Sequence, residues 1–221
     1  KNYTIFNQNK TKNWNMLRDS RDFNSYFVPK NKEEYISKLN DFKIDPEIEN
    51  DFTFLVKKYS IGRLISFCSG SCKLEFHLMK KFQLKCQVSD TTESMRRIKN
   101  FNIFNTVSII DITKPFDLNV DNNTIILLSR IDTEFDDWQL KNIFKKLSFL
   151  GVKIIYFIPA EILTFKSFLV NIKIIFKCFL KLRKPISWGN IRSHKSFEDL
   201  WKDYYITKSK TNSGLTLLLN D

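Results

Sequence analysis

Residues 64–75 run from an apolar stretch through Ser66, Phe67, Cys68, Ser69, Gly70, Ser71 and Cys72 into an amphipathic pattern that reaches Glu75. Small residues at a strand-to-helix turn let main-chain amides approach a ligand with no side chain in the way, and the helix that follows directs its first N–H groups toward anionic groups. Two further strand-like runs end in acids: Asp90 lies 20 residues after Gly70, and Asp111 lies 21 after Asp90. A carboxylate is an acceptor with two oxygens and no donor, suited to a pair of hydroxyls. Turn, acid and acid in that order are the layout of a nucleotide-type cofactor site in an α/β sheet. Each part also has an ordinary structural use. The turn can be tight without binding anything, Asp90 with Thr91 and Thr92 can cap a helix, and Asp111 can be a turn residue.

A second group follows the fourth strand-like run: Ser129, Arg130, Asp132, Glu134, Asp136 and Asp137. In open α/β sheets the crevice outside the carboxyl ends of the strands holds the ligand, which places Arg130, Asp132 and Glu134 beside an acceptor. Four acids so close could hold a divalent cation or simply begin a helix, where acids are favoured. A third group, Trp188, Arg192 and His194, lies in a loop that returns the chain to the sheet. Trp offers a stacking face, Arg a grip on carboxylate or phosphate, and His a base suited to a hydroxyl; the plain alternative is a surface loop with an incidental His. His77 reads as structural. Cys68, Cys72 and Cys86 with His77 lack the paired spacing of a zinc site, and Ser69 lacks the flanking glycines of a nucleophile elbow.

These groups must be held by elements. Strand-like runs at 63–67, 84–88, 106–110, 124–128 and 152–158 alternate with helical patterns at 73–81, 93–100 and 137–150, and two helices at 32–39 and 46–59 precede them. Alternation of this kind predicts a parallel sheet with helices on both faces, and unbroken apolar runs such as 125–128 and 154–158 suit strands covered on both sides. Residues 113–123 connect two strands without a clear helix. Ser196 and Asp199 suit the start of a short helix, and 204–208 with 215–219 around Thr211 to Gly214 read as an antiparallel hairpin. Residues 1–31 read as an extended arm with one short helix, so that 1–45 form an N-terminal arm and helix ahead of a domain at 46–221, with 162–195 inserted over the active edge.

At 221 residues, 43% hydrophobic and 14% aromatic, the chain can bury a core, which excludes a disordered protein. Its net charge of +12 suits an acidic partner such as nucleic acid, an anionic membrane or a phosphorylated substrate, although the wealth of Lys, Asn, Ile and Phe also fits an AT-rich coding bias. Four cysteines are too few for a secreted disulfide scaffold and no signal-peptide pattern opens the chain, so a reducing cytoplasm is expected. In segment 162–184, Lys166, Lys173, Lys177, Lys181 and Lys184 share one helical stripe beside a wide apolar arc. Such a helix packs on its own domain or a second subunit, or lies peripherally on an anionic membrane.

Five strand-and-helix units and a closing hairpin resemble the class I S-adenosylmethionine-dependent methyltransferases over residues 46–221. The resemblance implies a three-layer α/β sandwich with a mostly parallel seven-stranded sheet and an antiparallel C-terminal hairpin. It places Ser66, Cys68, Ser69, Gly70 and Ser71 on the family's glycine-rich cofactor turn, where only Gly70 keeps a glycine and Ser66 stands in the usual acidic place. It implies that Asp90 with Thr91 meets the ribose hydroxyls, that Asp111 meets the adenine amino group with Ile112 against the ring, and that Ser129 lines the same site. It further implies a small-molecule or glycan-type acceptor, methylated on oxygen, bound by Arg130, Glu134, Trp188 and Arg192, with His194 and Asp132 as catalytic groups. The Asn/Asp-Pro-Pro-aromatic signature of exocyclic base-amine methylation is missing after Leu128. A methyltransferase-like binding or assembly protein, an RNA methyltransferase and a nicotinamide oxidoreductase are the alternatives.

Overall fold

The structure is a computed structural model that describes residues 3–4, 12–21, 26–162, 172, 190–211 and 213–220. A two-residue strand, β1 (Tyr3–Thr4), precedes helices α1 (Lys12–Asp19) and α2 (Lys32–Asn40). Asn31 caps α2 by accepting from the Glu34 amide at 3.0 Å. Helix α3 (Pro46–Tyr59) starts where Asp45 accepts from the Glu47 amide and Pro46 supplies a ready-made helical φ, and it ends at left-handed Ser60.

The alternating part is β2 (Arg63–Phe67), α4 (Lys73–Phe82), β3 (Lys85–Asp90), α5 (Ser94–Phe101), β4 (Thr106–Ile109), β5 (Thr124–Ser129), a 3-10 turn (Ile131–Thr133), α6 (Asp137–Phe149) and β6 (Ile154–Ile158). After it come β7 (Asn190–Ile191), α7 (His194–Trp201), β8 (Tyr205–Lys210) and β9 (Leu215–Leu219). The seven-stranded sheet has the order β4-β3-β2-β5-β6-β9-β8. Strands β2 to β6 pair in parallel, and β9 enters antiparallel between β6 and β8. No helix joins β4 to β5; instead Lys146 Nζ donates to the carbonyls of Ile112 (2.8 Å) and Lys114 (2.7 Å) and pins the connection to α6.

Register aligns the strand ends that matter. Phe67 stands opposite Ser89 and Leu128, Asp90 opposite Ile109, and Ser129 opposite Ile158, so the carboxyl ends of β2, β3, β5 and β6 finish at one level. The central strands are apolar on both sides because both sheet faces are covered. One core joins Leu64, Ile125, Leu127 and Tyr156 to α3, α4 and α5; the other joins Ile65, Ile126, Phe144 and Phe157 to α6 and α7. Each such side chain contributes about 1.5–3 kcal/mol by leaving water. Outer strand β8 buries Tyr205 and then alternates exposed with half-buried residues.

One local expectation changes. Helix α7 begins after Ser193, whose side chain accepts from the Ser196 amide at 3.2 Å, so the cap falls three residues before the one predicted at Ser196. The hairpin is also tied to α3: Tyr156 donates its hydroxyl to Asp51 at 2.6 Å, Thr211 donates to the same oxygen at 3.0 Å, and Gly214 leaves the room that the Tyr156 hydroxyl occupies. Among the described residues no helix is long and apolar enough to cross a membrane. Of the 162–184 helix only Ile162 and Ile172 are described, so its lysine stripe lies outside the described residues.

Candidate functional site

The turn after β2 alternates its backbone. Cys68, Gly70 and Cys72 have φ of 55°, 59° and 56°, all left-handed. Glycine adopts that region freely, whereas other residues are held there at a cost of roughly 1–2 kcal/mol each. Surrounding bonds hold it: the Ser69 amide donates to Ser89 O at 2.9 Å, the Cys72 amide to Ser69 O at 2.9 Å, and Ser69 Oγ to Ser66 O at 3.1 Å. Tyr35 donates its hydroxyl to Ser71 O at 2.9 Å from α2. Two cysteines thus stand at alternate positions with Gly70 between them, all three left-handed.

Burial pushes the Cys68 thiol well up, and the carboxylates of Asp90, Glu134 and Asp111 add to it. The Cys72 thiol is raised by burial and by Glu75 and Asp90. Both are neutral thiols at physiological pH, small space-fillers instead of thiolate nucleophiles. Ser66, where an acid was the usual residue, donates to Glu75 Oε1 at 2.7 Å. Both are buried, and burial pushes the Glu75 carboxyl up to about 7. The acid under the turn therefore comes from α4.

Asp90 is joined to the turn. Its Oδ2 accepts from the Gly70 amide at 2.9 Å and its Oδ1 from the Thr92 amide at 3.0 Å. Each oxygen retains a lone pair for a ligand hydroxyl. Thr91, beside it, is exposed. Asp111 accepts from the Thr113 hydroxyl at 2.6 Å and amide at 3.0 Å; burial raises its carboxyl, but these bonds and Lys114 outweigh it and leave it below the usual range. Ile112 is buried against the second core.

On the acceptor side the structure separates what the sequence grouped. Ser129 ends β5, half-buried, and Arg130 is exposed with a left-handed φ of 59°. Asp132 is fully buried, and both its oxygens accept from the Ala160 amide, at 3.0 and 3.1 Å. It brackets the end of β5 to the end of β6, and burial pushes it up to about 6. Arg192 is fully buried as well, donating to Asp137 Oδ1, Asp132 O and Phe135 O, each at 2.8 Å. Neither presents exposed surface to an acceptor; their bonds join the segments after β5 and β6 to the segment before α7. Glu134 is half-buried on the same turn, His194 is exposed in the first turn of α7, and Trp188 lies outside the described residues.

The acids after β5 form no cation cage. Asp136 caps α6 with a reciprocal Gln139 bond, and Asp137 pairs with Arg192. Among the described residues no three His, Cys, Asp or Glu side chains are grouped to hold a metal ion.

One residue at the turn had no sequence signal. Arg18, from α1, is 7% exposed, and its guanidinium lies against Gly70 so closely that a Cβ there would be 2.5 Å from Nη2. Only the fold brings positions 18 and 70 together.

No protein-family model matches the chain, and no curated protein does either. Solved structures match in fold. Magnesium protoporphyrin IX methyltransferase from Synechocystis PCC 6803, with bound SAH, is 9% identical with a TM-score of 0.59, over 93% of this chain and 98% of that one. The S-adenosylmethionine-dependent methyltransferase SibL is 11% identical with a TM-score of 0.56, over 79% of this chain. Human N-acetylserotonin methyltransferase, in complex with SAM, is 12% identical with a TM-score of 0.54, over 86% of this chain. This chain spans 55% of SibL and 57% of the human enzyme. The fold is that of the class I S-adenosylmethionine-dependent methyltransferases.

Proposed function

We propose that this chain transfers a methyl group from S-adenosylmethionine to the oxygen of a small-molecule or glycan-type acceptor. One observation carries the reading: Cys68, Gly70 and Cys72 hold the alternating left-handed backbone of a glycine turn, and Asp90 is bonded to the Gly70 amide at its centre. Strained torsions at non-glycine residues persist where the surroundings impose them, and they cluster at ligand sites.

The residues fit the cofactor. Asp90 keeps acceptor capacity for the ribose hydroxyls, with Thr91 and Ser129 at the same strand ends, and Asp111 and Ile112 suit the adenine. Asp90, Glu134 and Asp111 all act on Cys68, and carboxylates in that position would favour a sulfonium cation. The sulfonium supplies an activated methyl group. The protein's share is alignment, plus removal of a proton where the acceptor is a hydroxyl. Arg130 and Glu134 are assigned to the acceptor side, and exposed His194 is the base; Trp188, assigned to the acceptor by the sequence, lies outside the described residues. Asp132 leaves the catalytic set.

The structures bound to SAM and SAH support the cofactor, and the complex of a Planctomyces limnophilus O-methyltransferase family 2 protein with apigenin supports a small acceptor. A second reading, a binding protein on this fold, draws on the burial of Asp132 and Arg192, which leaves His194 without them. Isothermal titration with S-adenosylmethionine, its demethylated product and NAD tests both. Micromolar binding of the two sulfur nucleosides, lost in Asp90→Ala, is expected; no binding of either at millimolar concentration would sink the enzyme reading.

A further inference from the structure

Arg18 is a buried charge with no ion pair among the described residues. Its Nη1 donates to the Tyr26 carbonyl at 3.3 Å, while Nε is buried with no hydrogen-bond partner among the described residues. The guanidinium stands over the rings of Trp14, at 5.2 Å, and Tyr26, at 5.8 Å, which fix its plane and shield it from water. No acid among the described residues forms an ion pair with it; the nearby acid of the turn, Glu75, is hydrogen-bonded to Ser66. A second cation, Lys73, begins the helix after the turn, and burial and Arg18 both disfavour its charged form.

An arginine cannot shed its proton to escape such a place, so the charge stays and must be met. Aromatic faces compensate part of the cost of burial but provide no acceptor for Nε. The Nη2 end of the guanidinium lies at Gly70, the residue whose missing Cβ makes room for it and whose amide is held by Asp90. A planar fork of N–H donors matches a carboxylate bidentately. We propose that Arg18 recognises the carboxylate of the methionyl portion of the cofactor, an inference that rests on the methyl-transfer reading. Helix α1 is thereby part of the binding site, and the guanidinium provides at this turn the grip that its cysteines lack.

The test compares S-adenosylmethionine with decarboxylated S-adenosylmethionine, which lacks only that carboxylate, by calorimetric titration of the wild-type chain, Arg18→Gln and Arg18→Lys. The wild type should prefer the carboxylated form by about tenfold to a hundredfold, the range of a charge-assisted hydrogen bond. Arg18→Gln should bind both equally, at the wild-type affinity for the decarboxylated form, and Arg18→Lys should fall between. Without ligand, Arg18→Gln should melt no lower than the wild type. Equal wild-type affinity for the two forms overturns the proposal whether or not the variants fold. So does Arg18→Gln losing both forms alike, which would mark a structural role. If the wild type binds neither sulfur nucleoside, the methyl-transfer reading fails and this proposal with it.

Discussion

The main-chain amide of Gly70 donates to Asp90 Oδ2 across 2.9 Å, which ties the turn after β2 to the acid that ends β3. Because Thr92 uses the other oxygen, Asp90→Ala leaves two buried amides unmet. Each costs about 1–3 kcal/mol, and urea unfolding should show a loss of about 2–5 kcal/mol. Sulfur-nucleoside affinity should fall at least about tenfold in the same variant. Asp90→Asn keeps one acceptor and should lie between wild type and Ala in both measurements.

Glu75 makes stability fall as pH rises through neutrality. Its carboxyl is pushed up to about 7 in the folded chain from 4.5, so between those values the folded state holds a proton that the unfolded state has lost. The associated stability is complete below the unfolded value and disappears as pH climbs through about 7, amounting to about 3 kcal/mol. Asp132, pushed up to about 6, works in the same direction. Carboxylates held low, such as Asp111, oppose this only in acid, as pH falls below their unfolded values. Urea midpoints should therefore rise from pH 8 to pH 5. Glu75→Gln should flatten that rise, matching wild type at pH 5 and exceeding it at pH 8.

Two glycines should respond oppositely to alanine. At Gly70 a Cβ meets Arg18 and a left-handed φ of 59°, which predicts a loss of about 1–3 kcal/mol and weaker nucleoside binding. Gly62 has open space within 4 Å and no left-handed φ, so Gly62→Ala should change stability by less than about 1 kcal/mol and in the favourable direction. Thermal melts of the pair decide it.

Arg192→Lys separates architecture from recognition. Lysine cannot reach Asp137, the Asp132 carbonyl and the Phe135 carbonyl together, and buried acceptors go unmet. A loss of about 2–4 kcal/mol in urea unfolding is expected. If stability is unchanged while acceptor affinity collapses, Arg192 is a ligand contact after all.

The sheet could be read in advance because its signals are local and repeated. Ile125 to Leu128 and Ile154 to Ile158 are unbroken apolar runs, and Asp90 and Asp111 close strands at regular distances. The acceptor side resisted for a physical reason. Asp132 and Arg192 have the residue types and the strand-end position of ligand groups, but burial and bonding to Ala160, Phe135 and Asp137 decide their use, and these are tertiary facts. Arg18 resisted differently, since nothing in α1 announces a partner 52 positions later in the chain. The torsions of Cys68 and Cys72 were equally silent, because letters record side chains and not φ.

Those two cysteines also have a meaning in the genetic code. A GGY glycine codon and a TGY cysteine codon differ by one base, and the change removes a G. In a coding sequence poor in G and C, as the abundance of Lys, Asn, Ile and Phe indicates, this step is short and directionally favoured. A turn that can carry a small side chain at left-handed φ leaves such a step open without rebuilding the backbone. Its shape can then outlast the letters by which such turns are usually recognised.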